Sequence, residues 1–196
     1  MIIAVDLDDT LADSLTSFIH FHNKNYNTSL KYKDFTAYTL NEIMGMPKEE
    51  EAKRLEEFDN SKHFEEIKPL KEAVEAVSEL AKKHKIIIIT GRAESSEKKT
   101  RAWVKKNLPM IKDIFFIRKV YHETPKNKAD VCKKINADIL IDDNLNHVHN
   151  CNRAGVKAIL IDYPWNRNAK LGKLIQRVKS WKEIVKFINK IEEKLK

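Results

Sequence analysis

The sequence predicts an α/β fold: a parallel sheet covered by helices on both faces, with a small helical cap inserted near its start. Three observations carry this expectation. Apolar runs at residues 2–5, 86–89 and 139–141 are strand length and lack apolar–polar alternation, as strands buried on both faces require. From Pro69 onward, strand and helix patterns alternate at the spacing of βαβ units. Polar residues then fall where the apolar runs end, at Asp6, Thr90 and Asp142. In a Rossmann-like sheet of this kind, ligands bind beyond the carboxyl ends of the strands.

The elements follow in order. Residues 2–5 open the chain as a short buried strand. Residues 14–26 are expected to be helical, with Leu15, Phe18, Ile19 and His22 on one side. Residues 27–47 are mixed and aromatic (Tyr32, Phe35, Tyr38) and end in a Gly45-Met46-Pro47 break. Residues 48–58 form a strongly charged helix. The stretch 14–69 interrupts the alternation and is read as the inserted cap, leaving 1–13 and 70–196 as the core. Beyond Pro69 the spacing predicts a helix over 71–84, a strand over 86–90 and a helix over 95–107. A strand over 114–117, a helix over 127–135, a strand over 138–142, a helix over 145–153 and a strand over 157–161 follow. Leu171, Leu174, Ile175, Val178, Trp181, Ile184 and Ile188 then recur at helical spacing, which predicts a tail helix.

Composition narrows the class. The chain has 196 residues, enough to bury a core without staples. No apolar run reaches membrane-spanning length, and no basic region followed by a long apolar stretch marks a signal peptide. Two cysteines, Cys132 and Cys151, make no disulfide framework, so a reducing, cytoplasmic location is expected. The net charge of +8 is uneven. Residues 170–196 carry nine basic and three acidic groups, whereas 41–66 carry four and nine. The basic excess therefore lies on a solvated helix face, and no nucleic-acid or membrane partner is expected.

The densest chemistry lies in Asp6-Leu7-Asp8-Asp9, three carboxylates in four positions at the end of a buried strand. Like charges this close repel unless a cation or a reaction uses them. Hard divalent cations take carboxylate oxygens, and a carboxylate can also attack phosphorus. Thr90-Gly91-Arg92 and Asp142-Asp143-Asn144 end two further strands and deliver hydroxyl, amide and acidic groups to the same edge. His147 and Cys151 stand at i and i+4, but no second pair completes a tetrahedral zinc set. With four glycines in all, the chain has no Gly-rich nucleotide-cofactor loop.

In these motifs the chain resembles the haloacid dehalogenase-like (HAD) hydrolase superfamily. Val5-Asp6-Leu7-Asp8-Asp9-Thr10, Ile89-Thr90, Lys128 and Ile141-Asp142-Asp143 match its four motifs in order. Lys126 competes with Lys128; Lys128 is preferred because it opens the helical stretch Lys128-Ala129-Asp130-Val131. The resemblance implies a Mg²⁺-dependent phosphomonoesterase. Asp6 would become an aspartyl-phosphate, and Asp8 would protonate the leaving alcohol and then activate water. Mg²⁺ would be held by the Asp6 carboxylate, the Asp8 carbonyl and Asp142, with Asp143 completing the metal site by bonding a metal-bound water. Thr90, Gly91 and Lys128 would hold phosphoryl oxygens. Arg92, beside them, would fork onto a phosphate or ribose oxygen, or pair with Glu94 or an acidic cap residue. Asp9 stands where a common form of the motif has Gly, and its partner is open.

Within the superfamily, Asp6-Leu-Asp-Asp-Thr-Leu-Ala-Asp13, Thr90-Gly-Arg92, Ile141-Asp-Asp-Asn144 and Tyr163-Pro-Trp-Asn-Arg167 look like the 5′(3′)-deoxyribonucleotidase family and its microbial relatives. Better-known members carry an aromatic residue after Ala-Asp; here it is Ser14. Phe18, Phe35, Tyr38 and Trp165 are candidates for stacking on a base, with core packing the alternative reading. The expected substrate is a small phosphorylated molecule such as a (deoxy)nucleoside monophosphate. A sugar phosphate, a polynucleotide 3′-phosphate end, or a non-catalytic binding module are the alternatives.

Overall fold

The computed structural model describes residues 1–117 and 127–195. Six parallel strands form one sheet in the order β3-β2-β1-β4-β5-β6. They are β1 (Ile2–Val5), β2 (Lys85–Thr90), β3 (Asp113–Phe116), β4 (Ile139–Asp142), β5 (Lys157–Ile161) and β6 (Ile175–Val178). The strand order reverses direction at β1, which lies centrally between β2 and β4. That is the switch point where the strand ends open a crevice.

Alternation along each strand builds two cores. Ile3, Val5, Ile88, Ile139, Ile141 and Ile159 face α5 (Lys71–Leu80), α6 (Glu97–Asn107) and α9 (Trp181–Leu195). Ala4, Ile89, Leu140, Ala158 and Leu160 face the opposite way, onto α7 (Lys128–Lys134) and α8 (Leu145–Arg153). Both faces are buried, which is why the strands read as continuous apolar runs. Ile184 of α9 is fully buried in the first core. Ile184→Ala is expected to cost about 2–5 kcal/mol, read as a lower urea midpoint at unchanged m-value.

One expected element is divided. The tail helix begins only at Trp181, and residues 175–178 are the edge strand β6, hydrogen-bonded to β5. Ile175 is buried in the second core and Val178 in the first, on opposite faces of the sheet, while Gln176 is exposed. Four residues of this composition fit a helical stripe and a short strand equally well. A capping signal marks the true start: Ser180 Oγ accepts from Glu183 N–H at 3.3 Å, in a Ser-x-x-Glu pattern.

Between β1 and α5 the chain forms α1 (Ser14–Tyr26), α2 (Leu40–Met44), α3 (Lys48–Asp59) and α4 (Lys62–Glu65). The two short helices α2 and α4 have no periodic signature of their own. Phe18 of α1 meets Phe35 and Phe58 edge-on at 6.5 and 5.3 Å between ring centres. The chain leaves and re-enters the sheet layer side by side. Asp13 N–H donates to Lys68 C=O at 2.8 Å, and Leu70 N–H to Leu11 C=O at 2.9 Å.

Candidate functional site

The site forms at the carboxyl ends of β1, β2 and β4. Parallel pairing of Val5 with Ile88 and Ile141 puts the residues that follow these strands side by side. Asp6, Asp142 and Asp143 are buried, and one carboxylate oxygen from each lies within 4.8 Å of the other two. Lys128 enters at the start of α7, where Asn127 Oδ1 caps the helix by accepting from Asp130 N–H at 3.1 Å. Its ammonium donates to Asp142 Oδ2 at 2.8 Å and pairs with Asp6 Oδ1. Asp142 Oδ1 accepts from Asn144 N–H at 2.8 Å.

Electrostatics follow from this crowding. Burial, reinforced by Asp142 and Asp8, pushes the Asp6 carboxyl up to about 7 despite the opposing Lys128. Burial, with Asp142 and Asp6, raises Asp143 well above the carboxylate range. Burial disfavours the Lys128 charge, but Asp142 and Asp6 more than offset it, so the ammonium is held above its ordinary value. Three buried carboxylates facing one ammonium leave excess negative charge. Their all-oxygen character suits a hard divalent cation.

Asp8 is not part of this triad. Arg92 Nε reaches both of its oxygens at 3.0 Å, and Nη2 reaches Oδ1 at 2.6 Å. Burial alone would raise the Asp8 carboxyl, yet Arg92 and the Ser14 hydroxyl hold it below the usual range. Arg92 is in turn fixed by Thr100 Oγ1 at 3.2 Å and by the Phe64 ring, 4.6 Å from its guanidinium carbon. The guanidinium thus has a carboxylate partner other than those expected for it. Thr90 is fully buried, and its Oγ1 accepts from Arg92 N–H at 3.2 Å. Gly91 borders a cavity of about 460 Å³, and a side chain there would meet nothing within 4 Å. Lys126 lies outside the described residues.

The open partner of Asp9 is found. Its backbone is left-handed (φ 55°), which explains glycine in the common form of the motif; Asp tolerates this region better than most side chains. Its Oδ1 accepts from Leu15 N–H at 2.9 Å, satisfying an orphan donor at the start of α1. Burial pushes its carboxyl up to about 8.

Two residues have a role not foreseen in the sequence. Trp165 does not line the cavity; it stacks on Tyr163 at 4.5 Å, and its Nε1 donates to Asp143 Oδ2 at 2.9 Å. Tyr38 does line the cavity, and it also binds the acidic loop: its hydroxyl donates to the Asp143 carbonyl and accepts from Leu145 N–H at 3.0 Å. Phe18 and Phe35 are core residues whose edges reach the cavity. Cys151 is buried against Cys132 in the second core. Among the described residues, the group able to hold a metal is Asp6, Asp142 and Asp143, not the His147–Cys151 pair.

A parallel sheet with acidic strand ends, a buried lysine and a helical segment after β1 defines a HAD-fold hydrolase. A HAD-like family protein of Streptococcus pneumoniae matches the fold with a TM-score of 0.68 at 16% identity, covering 95% of this chain and 97% of that one. A HAD hydrolase of Bacillus subtilis bound to magnesium matches with a TM-score of 0.66 at 17% identity, covering 96% and 98%. The chain belongs to the 5′ nucleotidase, deoxy (pyrimidine), cytosolic type C protein family, whose model matches residues 1–195. It is 28% identical over 193 residues to a nucleotidase of Clostridium acetobutylicum, covering 98% of this chain and 95% of that protein. It is 27% identical over 188 residues to a 5′(3′)-deoxyribonucleotidase of Bacillus subtilis, covering 93% and 95%. The chain is therefore a phosphoric monoester hydrolase of the nucleotidase kind.

Proposed function

We propose that this enzyme dephosphorylates small nucleoside monophosphates, deoxynucleotides foremost, through an aspartyl-phosphate. The observation that carries the reading is the pairing of a buried ammonium, Lys128, with a buried carboxylate, Asp6, two residues before Asp8, which itself lines a cavity walled by aromatic residues. Asp6 attacks phosphorus, and the alcohol departs toward Asp8. Asp8 supplies the proton and afterwards takes one from the hydrolytic water. The Thr90 hydroxyl, the Gly91 amide and Lys128 hold the phosphoryl oxygens. Arg92 keeps Asp8 ionised while the site is free of substrate; a phosphate arriving beside it offers the guanidinium a second anion and leaves Asp8 free to carry a proton.

Asp6, the Asp8 carbonyl, Asp142 and Asp143 would hold Mg²⁺, and the three clustered carboxylates fit it. Bound there, the cation supplies charge neutralisation between an anionic nucleophile and an anionic phosphate. Trp165 and Tyr38 hold Asp143 and its loop in place for this ligand set.

Helices α1 to α4 serve as a cap over residues 1–13 and 70–196. A chamber of about 460 Å³ beneath it, largely apolar with few polar groups, suits a nucleoside. The acidic segment 41–66 of the cap, with nine acidic and four basic residues, disfavours a polynucleotide. Within the described residues no helix is long and apolar enough to cross a membrane. A cytoplasmic setting is in keeping with the cytosolic nucleotidase family that the chain matches. Phosphate release from a panel of nucleoside and sugar monophosphates, with and without Mg²⁺, tests the reading. Mg²⁺-dependent release favouring deoxynucleotides is expected. Release from sugar phosphates alone would discard the nucleotide assignment.

A further inference from the structure

The chamber beside Asp8 carries charge that the phosphoryl chemistry does not use. Its wall is largely apolar and aromatic, with Phe18, Phe35, Leu55, Phe58 and Phe64 contributing. Arg92 is the cation among its described lining residues, and Asp8 already holds it through Nε and Nη2. Asp8 and Arg92 therefore offset one another. Three carboxylates remain: Asp9, whose Oδ1 is held by the Leu15 amide, and Glu51 and Asp59 of α3. Glu51 accepts from Leu40 N–H at 2.6 Å, which fixes its head group but leaves its charge in place. Asp59 ends α3, half-buried, and is near enough to Arg92 and Asp8 to feel both charges. Lys99 donates to the Asp59 backbone carbonyl at 3.0 Å, but its ammonium is shared with Glu65 at 3.5 Å and lines a neighbouring cavity instead.

The leaving alcohol must lie against Asp8 to take its proton, so the rest of the leaving group occupies this chamber. Arg92 and Lys99 offset part of the Asp59 charge, but among the described residues the carboxylates lining the chamber outnumber its one cation. A second anion there would meet that excess negative charge across an apolar wall, where like charges repel far more than in water. Uncharged hydroxyls and amides would meet hydrogen-bond acceptors instead. We propose that Asp59, assisted by Glu51, is a specificity-determining charge filter: the enzyme accepts phosphomonoesters whose leaving group is uncharged and rejects those whose leaving group carries a second phosphate or a carboxylate. This inference rests on the reading of the chain as a phosphomonoesterase with Asp8 beside the leaving group.

A matched pair tests it: deoxythymidine 5′-monophosphate and deoxythymidine 3′,5′-bisphosphate, at saturating Mg²⁺ and low ionic strength. The wild-type kcat/KM is expected to favour the monophosphate by about tenfold or more. Added salt should narrow that ratio by screening. Asp59→Asn keeps the shape and removes the charge; it should shrink the ratio by about tenfold, chiefly through KM for the bisphosphate. Asp59→Glu keeps the charge and should preserve the ratio, which a merely structural role for Asp59 does not predict. Should Asp59→Asn fail to fold, Glu51→Gln, which retains an acceptor for Leu40, reads the same filter. Equal kcat/KM for both substrates in the wild type, or a ratio unmoved by removal of the charge, overturns the filter and leaves the phosphatase reading standing. No turnover of any monophosphate overturns both.

Discussion

Asp6→Asn is expected to lower phosphate release by roughly 10⁴-fold or more, the scale on which loss of a catalytic nucleophile falls. The amide cannot form the acyl-phosphate bond, so no ordering of the remaining groups restores the covalent route. The same change should leave the fold intact and stabilise it. Asp6 is crowded by Asp142 and Asp8, and burial pushes its carboxyl up to about 7. Asn removes that repulsion, keeps an oxygen for Lys128, and does not touch the backbone bond from Asp6 N–H to Ile141 C=O at 2.9 Å. A thermal melt at or above wild type with no phosphate released is the expected pair of results. Acid quenching the wild type during turnover should show one phosphoryl group on the peptide that carries Asp6. A variant with full activity would remove the covalent mechanism.

Strand ends were legible in the sequence, and side-chain traffic between distant segments was not. Apolar runs ending in Asp6, Thr90 and Asp142 identify one sheet edge because parallel strands deliver their carboxyl ends to one side. That argument needs only the covalent order of neighbours. Arg92 meeting Asp8, Tyr38 meeting Asp143 and Trp165 meeting Asp143 join residues 84, 105 and 22 positions apart, and no local pattern encodes such contacts. Asp9 is a case between the two. The departure from glycine was visible, but the left-handed backbone and the Leu15 amide that explain it appear only once α1 is placed. The strand β6 was hidden for another reason: apolar residues at i and i+3 match the helical period, and they suit a strand here only because both faces of the sheet are buried. The capping pattern at Ser180 and Glu183 was the signal that separates them.

Lys128→Met is expected to lose both turnover and stability, and the stability loss should depend on pH and on Mg²⁺. Lys128 is 1% exposed, and its ammonium bridges Asp6 and Asp142. Removing one partner of a buried ion pair leaves charge without compensation and typically costs about 3–5 kcal/mol. The carboxylates can escape part of that by binding protons. Burial already holds the folded Asp6 carboxyl near 7, against 3.8 as its ordinary value, and holds Asp143 well above that value. A carboxyl raised on folding contributes stability that is fully present below its unfolded pKa and is lost as pH rises through the folded one. Without Lys128 the folded values rise further, so the deficit against wild type should be small at pH 5 and widen toward pH 8. The Mg²⁺ proposed to bind these carboxylates would substitute for the missing positive charge, so saturating Mg²⁺ at pH 8 should recover much of the urea midpoint. Turnover should stay low even then, because the ammonium is also the donor proposed for a phosphoryl oxygen. Urea titrations at both pH values, with and without Mg²⁺, read all of this. A deficit independent of pH and of Mg²⁺ would mean that Lys128 acts by packing its stem and not by neutralising Asp6 and Asp142.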